Sequence, residues 1–297
     1  MIMAWIYWNP SIKAFTIPWI NHDVVWYGIL FALGIFFSYF VLAHLIFKFF
    51  LRTLKGEENL KAKAFACVDK LCLYLVSCMV LFSRLFHLLF YEKMDYIAAD
   101  PLVIFKVWEG GLSSHGGVIG LFVGMVLFLI RESRTYPVFS FVTLIDLIIV
   151  PGMLTGAFIR VGNFINQEIL GTPTTHFFGV IFGSSSFAQH GIALHPVVLY
   201  EALIYFVACL FFSIKFSKWI YFRGRIAGWM FLTVFTARFV LEFFKQSQSY
   251  YIESAHLLNM GQMLTLPLIV LGFYLTYQSF KPSSALFMRD VREKEGA

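Results

Sequence analysis

The chain is 297 residues long, 59% hydrophobic, 19% aromatic and only 13% charged, with a mean hydropathy of +0.76. This balance is too apolar for an ordinary soluble domain and calls for lipid as the solvent. The formal charge of +6 and a pI near 9.1 are what cationic loops give a membrane protein, so nucleic acid is not expected as a partner.

In chain order, residues 1–23 hold one basic residue, Lys13, and are broken by Pro10 and Pro18. They read as an amphipathic, aromatic-rich lead-in rather than a cleaved leader. Seven apolar runs follow, at about residues 24–47, 67–90, 113–130, 138–159, 196–212, 226–244 and 262–280. A hydrocarbon core of roughly 30 Å is crossed by about 20 helical residues, each rising about 1.5 Å, so each run reads as a crossing. Helices rather than barrel strands are predicted because the runs are continuously apolar and do not alternate. The expected fold is an all-α membrane protein of about seven transmembrane helices, a single polytopic domain over 1–297. Residues 160–195, rich in Gly, Ser and Thr, are expected to form a small extracytoplasmic loop or head. Gly116, Gly120 and Gly124 form a small-residue stripe, and Pro151-Gly152 and Pro267 interrupt spans four and seven, which suits close helix packing.

Lysines and arginines set the orientation. One set of connections carries fourteen: Arg52, Lys55, Lys61, Lys63, Arg131, Arg134, Lys215, Lys218, Arg223, Arg225, Lys281, Arg289, Arg292 and Lys294. The alternate set carries five: Lys13, Lys93, Lys106, Arg160 and Lys245. The positive-inside rule therefore places the N-terminus outside and the C-terminus in the cytoplasm. The four cysteines, Cys67, Cys72, Cys78 and Cys209, lack metal-ligand spacing and read as small buried apolar side chains, so no disulfide and no metal are expected.

An ionisable group within the membrane costs at least a few kcal/mol and needs a partner or a task. With this orientation Tyr27, Arg84, His87, His115, Arg160, His195, Tyr200, Glu201, Arg238 and Glu242 all fall toward the outer ends of the spans. Asp69, Lys70 and Asp146 lie at inner or middle levels. One reading is a set of ion pairs joining helices, for example Arg238 with Glu242, four residues apart on one helical face. The other is an anion site. Three arginines at one depth exceed what nearby carboxylates neutralise, guanidinium forks suit phosphate oxygens, and His115 opens a helix whose N-terminal N–H groups add positive potential. A solute pathway fits less well, because its polar groups would gather near the midplane.

Trp108-Glu109-Gly110-Gly111 before His115-Gly116-Gly117, and above all Arg160-Val161-Gly162-Asn163-Phe164-Ile165-Asn166-Gln167-Glu168 with Gly171, resemble the bacterial phosphatidylglycerol:prolipoprotein diacylglyceryl transferase family. Trp26-Tyr27-Gly28, His195-Pro196 with Tyr200-Glu201, Arg238-Phe239 with Glu242-Phe243, and Met260-Gly261-Gln262 extend the likeness over nearly the whole chain. The resemblance implies a seven-helix membrane body with an outer head, in a bacterial cytoplasmic membrane. It implies transfer of the diacylglyceryl group of phosphatidylglycerol to the lipobox cysteine of a prolipoprotein signal peptide, with no cofactor. It also implies that Arg160 binds the phospholipid, that His115 and Arg238 are essential, and that Asn163, Glu168 and Gly171 line or shape the site with Tyr27 and Glu242 in support. The chain departs from the family pattern at Ser83 and Ile159, where glycine is usual, and at Lys245, Ser247 and Gln248, in the connection after span six.

For the chemistry so implied, His115 is the first candidate to assist the thiol, with Tyr27 or Glu242 as substitutes. His115 could instead hydrogen-bond the loop at Glu109. Asn163, Asn166 and Glu168 could cap a turn or touch substrate.

Overall fold

The computed structural model describes residues 5–19, 21–54, 56–92, 97, 100–106, 111–184, 191–246 and 258–281. The expectations for Lys55, Lys93, Trp108, Glu109, Gly110, Ser247, Gln248, Arg289, Arg292 and Lys294 lie outside them. Among the described residues, seven helices are long and apolar enough to cross a membrane: α1 (Trp26–Thr53), α2 (Leu60–Tyr91), α3 (Ser114–Glu132), α4 (Phe141–Ile165), α5 (Val197–Trp219), α6 (Arg225–Leu241, continued by a 3-10 turn, Glu242–Phe244) and α7 (Met260–Ser279). The chain is a multi-pass membrane protein, and each of the seven predicted runs overlaps one of these helices. Helix α4 extends past its predicted end to Ile165, so Arg160 and Asn163 sit on its last two turns rather than in the following loop.

The chain divides into two compact units, Ala43–Ile145 and the remainder. In the smaller unit the glycine stripe meets its purpose. A Cβ on Gly116, Gly120 or Gly124 of α3 would come within 2.3, 2.3 and 2.8 Å of the carbonyl oxygens of Phe82, Cys78 and Tyr74 on α2. The spacing of four on each helix brings the two backbones together with no side chain between them. At one end, Phe49 and Phe50 stack with Phe139 and Tyr136, and Lys70 pairs with Glu132 at 2.7 Å.

Arg84 is buried, and its Nε and Nη2 donate to the Val103 carbonyl at 3.2 and 3.0 Å, its Nη1 to that of Gly111 at 3.4 Å. That geometry holds the 3-10 turn Pro101–Phe105 against α2. The guanidinium is thus engaged by backbone carbonyls of the segment that follows α2. His115 stands exposed on the first turn of α3, where Ser113 caps the helix by accepting from the Gly116 N–H at 3.4 Å.

In the larger unit, α1 approaches α4 at Gly34, where a Cβ would lie 3.1 Å from Thr155 and Phe158, and Ser38 donates to the Pro151 carbonyl at 2.7 Å. Helices α6 and α7 cross closely at Gly228 and Gly272. Asp146, fully buried in α4, accepts from the N–H groups of Gly224 and Ala227, both at 2.7 Å. It thus caps α6 from another helix and meets the demand that a buried carboxylate be satisfied.

The lead-in expected as an amphipathic stretch forms strands. β1 (Ile6–Trp8) runs parallel to β4 (Val180–Phe182), and β2 (Lys13–Ile17) forms a hairpin with β3 (His22–Val25). The Trp8 ring stacks on Phe164 at 4.6 Å and its Nε1 donates to the Phe164 carbonyl at 3.1 Å. Phe164, Leu170, Val180, Phe182, Leu194 and Val198 complete a small core around that contact.

Candidate active site

The site begins with the way α4 ends. The N–H of Gln167 bonds the Phe164 carbonyl at 3.2 Å and that of Glu168 bonds the Asn163 carbonyl at 3.0 Å, the paired pattern of a Schellman cap. Such a cap needs a left-handed residue, and here it is Gln167, with φ of 55°. A glutamine pays a steric penalty there that glycine would not. Its buried side chain offsets this by donating to Asn9 Oδ1 at 3.2 Å and accepting from the Ser184 N–H at 2.9 Å. The cap turns the chain so that the Glu168 carboxylate accepts from Asn163 Nδ2 at 2.9 Å and Asn166 Nδ2 at 3.0 Å. Asn163 Oδ1 in turn accepts from Arg160 Nη1 at 3.2 Å. The motif is therefore a relay, Glu168 to Asn163 to Arg160, that orients one guanidinium.

The other side of Arg160 faces Glu201 on α5. Glu201 is fully buried, and three cations surround it: Arg160 Nε at 2.7 Å, Lys245 Nζ at 2.9 Å and Arg238 Nε at 3.8 Å. The Arg160 contact is Coulombic rather than a hydrogen bond, since neither its Nε nor Glu201 Oε2 has an aligned partner. One turn further along α5, the Tyr205 hydroxyl accepts from Arg238 Nη1 at 2.8 Å. Lys245 also pairs with Glu242 at 2.9 Å.

The expected Arg238–Glu242 pair is thus replaced. Regular α-helix stops at Leu241, and Glu242 opens the 3-10 turn that carries Lys245. The Glu242 carboxylate lies where a Cβ on Gly261 would come within 2.2 Å of it, at the N-terminus of α7, whose dipole favours an anion. Arg160, Arg238 and Lys245 thus gather on Glu201, with Glu242 paired to Lys245 and Glu168 standing behind Arg160 through Asn163. Among the described residues, the Nη2 of neither Arg160 nor Arg238 has a hydrogen-bond partner, and the two side chains keep 15% and 28% of their surface exposed.

Gly171 lies at a close approach of two backbones. A Cβ there would fall 2.2 Å from the His195 carbonyl oxygen. This close approach lets segment 170–172 pair with 244–246, through Thr172 N–H to Phe244 carbonyl at 2.8 Å and Gln246 N–H to Leu170 carbonyl at 2.9 Å, which fixes Lys245. His195 packs edge-on to Phe244 at 5.3 Å, with one ring nitrogen 3.2 Å from the Tyr200 hydroxyl. Burial, and then neighbouring His176, hold its imidazole below the usual 6.5. The Tyr27 ring lies over Gly162, where a Cβ would meet it at 2.9 Å.

The structure therefore brings together Tyr27, Arg160, Asn163, Glu168, Gly171, Arg238 and Glu242 in one unit. His115 belongs to the other. Sequence reasoning placed Glu201 at the correct end of its span but gave it no role, and did not single out Tyr205. A lone acid on an apolar helix with a tyrosine one turn on was the available signal.

The family model for prolipoprotein diacylglyceryl transferase matches residues 13–278. The chain belongs to that family. Among relatives, the phosphatidylglycerol–prolipoprotein diacylglyceryl transferase of Chloroherpeton thalassium is 36% identical over 94% of this chain and 96% of its own length. Those of Tolumonas auensis, 38% identical over 87% and 92%, and Protochlamydia amoebophila, 29% identical over 93% and 95%, carry the same name. In this chain the relay through Asn163 lies within the segment from Arg160 to Glu168, while Glu201 and Arg238 come to it from α5 and α6.

Proposed function

We propose that this chain transfers the diacylglyceryl group of phosphatidylglycerol to the thiol of a lipobox cysteine in a prolipoprotein signal peptide, leaving a thioether and releasing glycerol phosphate. The observation that carries the reading is that Arg160 and Arg238, from different helices, converge on one buried carboxylate with donors to spare. Glu201 and Asn163 fix the guanidiniums from behind, and their Nη2 groups take the phosphate. As the thiolate attacks the glyceryl carbon and the C–O bond breaks, the phosphate gains a negative charge, and pre-placed cations stabilise it without reorganising. Lys245 holds Glu242 and Glu201 in register, and Gly171 and Tyr27 shape the surroundings.

For the thiol proton we assign His115, an imidazole exposed on the first turn of α3 whose ring nitrogens can accept and release a proton. A cysteine thiol, with an ordinary pKa of about 8.5, needs such help at pH 7. The N-terminus lies outside and the C-terminus in the cytoplasm of a bacterial cytoplasmic membrane, by the distribution of Lys and Arg. Strands β1 to β4 with residues 166–184 and 191–195, the described part of the expected 160–195 loop that lies beyond α4, form the extracytoplasmic head, beside which bacterial membrane lipids bring phosphatidylglycerol to the site.

The test is reconstitution of the full chain in nanodiscs with phosphatidylglycerol and a lipobox peptide, read by mass spectrometry. A cysteine adduct of diacylglyceryl mass is expected. Absence of any adduct while the protein stays folded would overturn the assignment.

A further inference from the structure

Tyr205 is 5% exposed in the middle of an apolar helix, an expensive place for a hydroxyl without a full set of partners. Its oxygen accepts from Arg238 Nη1 at 2.8 Å, but among the described residues its own proton is donated to nothing. The ring is locked. It lies against α4 at Gly156, one turn before Arg160, where a Cβ would come within 3.1 Å of Cδ2 and 3.4 Å of Cε2. Gly156 thus clears a notch that seats the ring, so that the hydroxyl reaches the guanidinium. A hydroxyl that accepts from a guanidinium is polarised and becomes a stronger donor.

We propose that Tyr205 is a further catalytic residue, whose O–H donates to the substrate's phosphate beside Arg238 and binds it more tightly as the charge on that phosphate rises. This rests on the functional reading above. In the step itself, sulfur forms a bond to the glyceryl carbon, the C–O bond to phosphate breaks, and its electron pair stays on the phosphate oxygen. The thiol proton leaves to the base. Tyr205 transfers no proton; its hydrogen bond shortens as a singly charged diester becomes a doubly charged monoester. An interaction stronger with the product-like charge than with the substrate lowers the barrier rather than the KM.

Tyr205→Phe keeps the ring in its notch and deletes the hydroxyl, which removes its O–H donor together with the acceptor of Arg238 Nη1. In nanodiscs, kcat should fall about 10- to 100-fold, as for a hydrogen bond to a charged group. The KM for phosphatidylglycerol should stay within about threefold, while inhibition by glycerol phosphate weakens about tenfold or more. Gly156→Ala, which presses on the ring, should lower kcat in the parent but add nothing to Tyr205→Phe, because no donor is left to displace. A kcat for Tyr205→Phe within about twofold of the parent would overturn the proposal. So would equal shifts in KM and in the inhibition constant, which is what misplacing Arg238 alone produces. If the parent protein itself forms no adduct, it is the functional reading that has failed; if it turns over normally and Tyr205→Phe does too, only this inference has.

Discussion

Arg160→Lys separates two things an arginine supplies, a charge and a fork. At an effective dielectric of about 20, a unit charge about 4 Å from another contributes roughly 4 kcal/mol, and an ammonium keeps most of that. The fork is another matter. In the structure Arg160 spends Nε on Glu201 and Nη1 on Asn163, which leaves Nη2 for a ligand. A lysine has a single nitrogen to divide among those three directions, so it cannot be held by Glu201 and Asn163 and also present an aimed donor to phosphate. Losing one pre-placed donor to a developing oxyanion costs about 2 to 4 kcal/mol, or roughly 30- to 1000-fold in kcat/KM. The assay is initial-rate adduct formation in nanodiscs at several phosphatidylglycerol densities. A lysine variant within about threefold of the parent would show that Arg160 acts as a point charge only, and the two-guanidinium clamp would have to be abandoned.

Three further outcomes follow from the same geometry. Glu201→Gln removes the shared counterion of three cations, and since breaking a buried ion pair from one side costs about 3 to 5 kcal/mol, the unfolding midpoint should drop and activity with it; an unchanged midpoint would mean that the cations do not depend on Glu201. Gly171→Ala forces a methyl to within 2.2 Å of the His195 carbonyl, whose residue is tied to Thr172 by its own N–H at 3.0 Å. A loss of about 1 to 3 kcal/mol in stability is expected, and a variant as stable as the parent would place the strain elsewhere.

His195 gives a dependence on pH. Its imidazole is held below 6.5 in the folded chain, so below 6.5 the unfolded chain binds the proton more readily. Stability is then complete above 6.5 and declines as pH falls toward the folded value. His195→Gln should flatten that part of the stability curve, measured by thermal unfolding across acid pH, and a curve of unchanged slope would count against it.

Composition and periodicity determined the seven apolar crossings, because a helix that must satisfy its own backbone in lipid announces itself by length and hydropathy alone. They also located the glycine stripe, since spacing by four is a property of one helix, and the carbonyls of Phe82, Cys78 and Tyr74 only had to be there to meet it. The motif from Arg160 to Glu168 was legible as a unit for the same local reason, though its first residues turned out to be helix rather than loop. What the sequence could not decide was which charge faces which. Arg238 and Glu242 looked like partners by helical spacing, yet Glu242 pairs with Lys245, three residues on, while the guanidinium of Arg84 lies on the carbonyls of Val103 and Gly111. Ion pairs between helices depend on rotation and depth of each helix to within a few ångströms. No one-dimensional pattern carries that information, so only the tertiary structure could make Glu201 the centre to which both arginines turn.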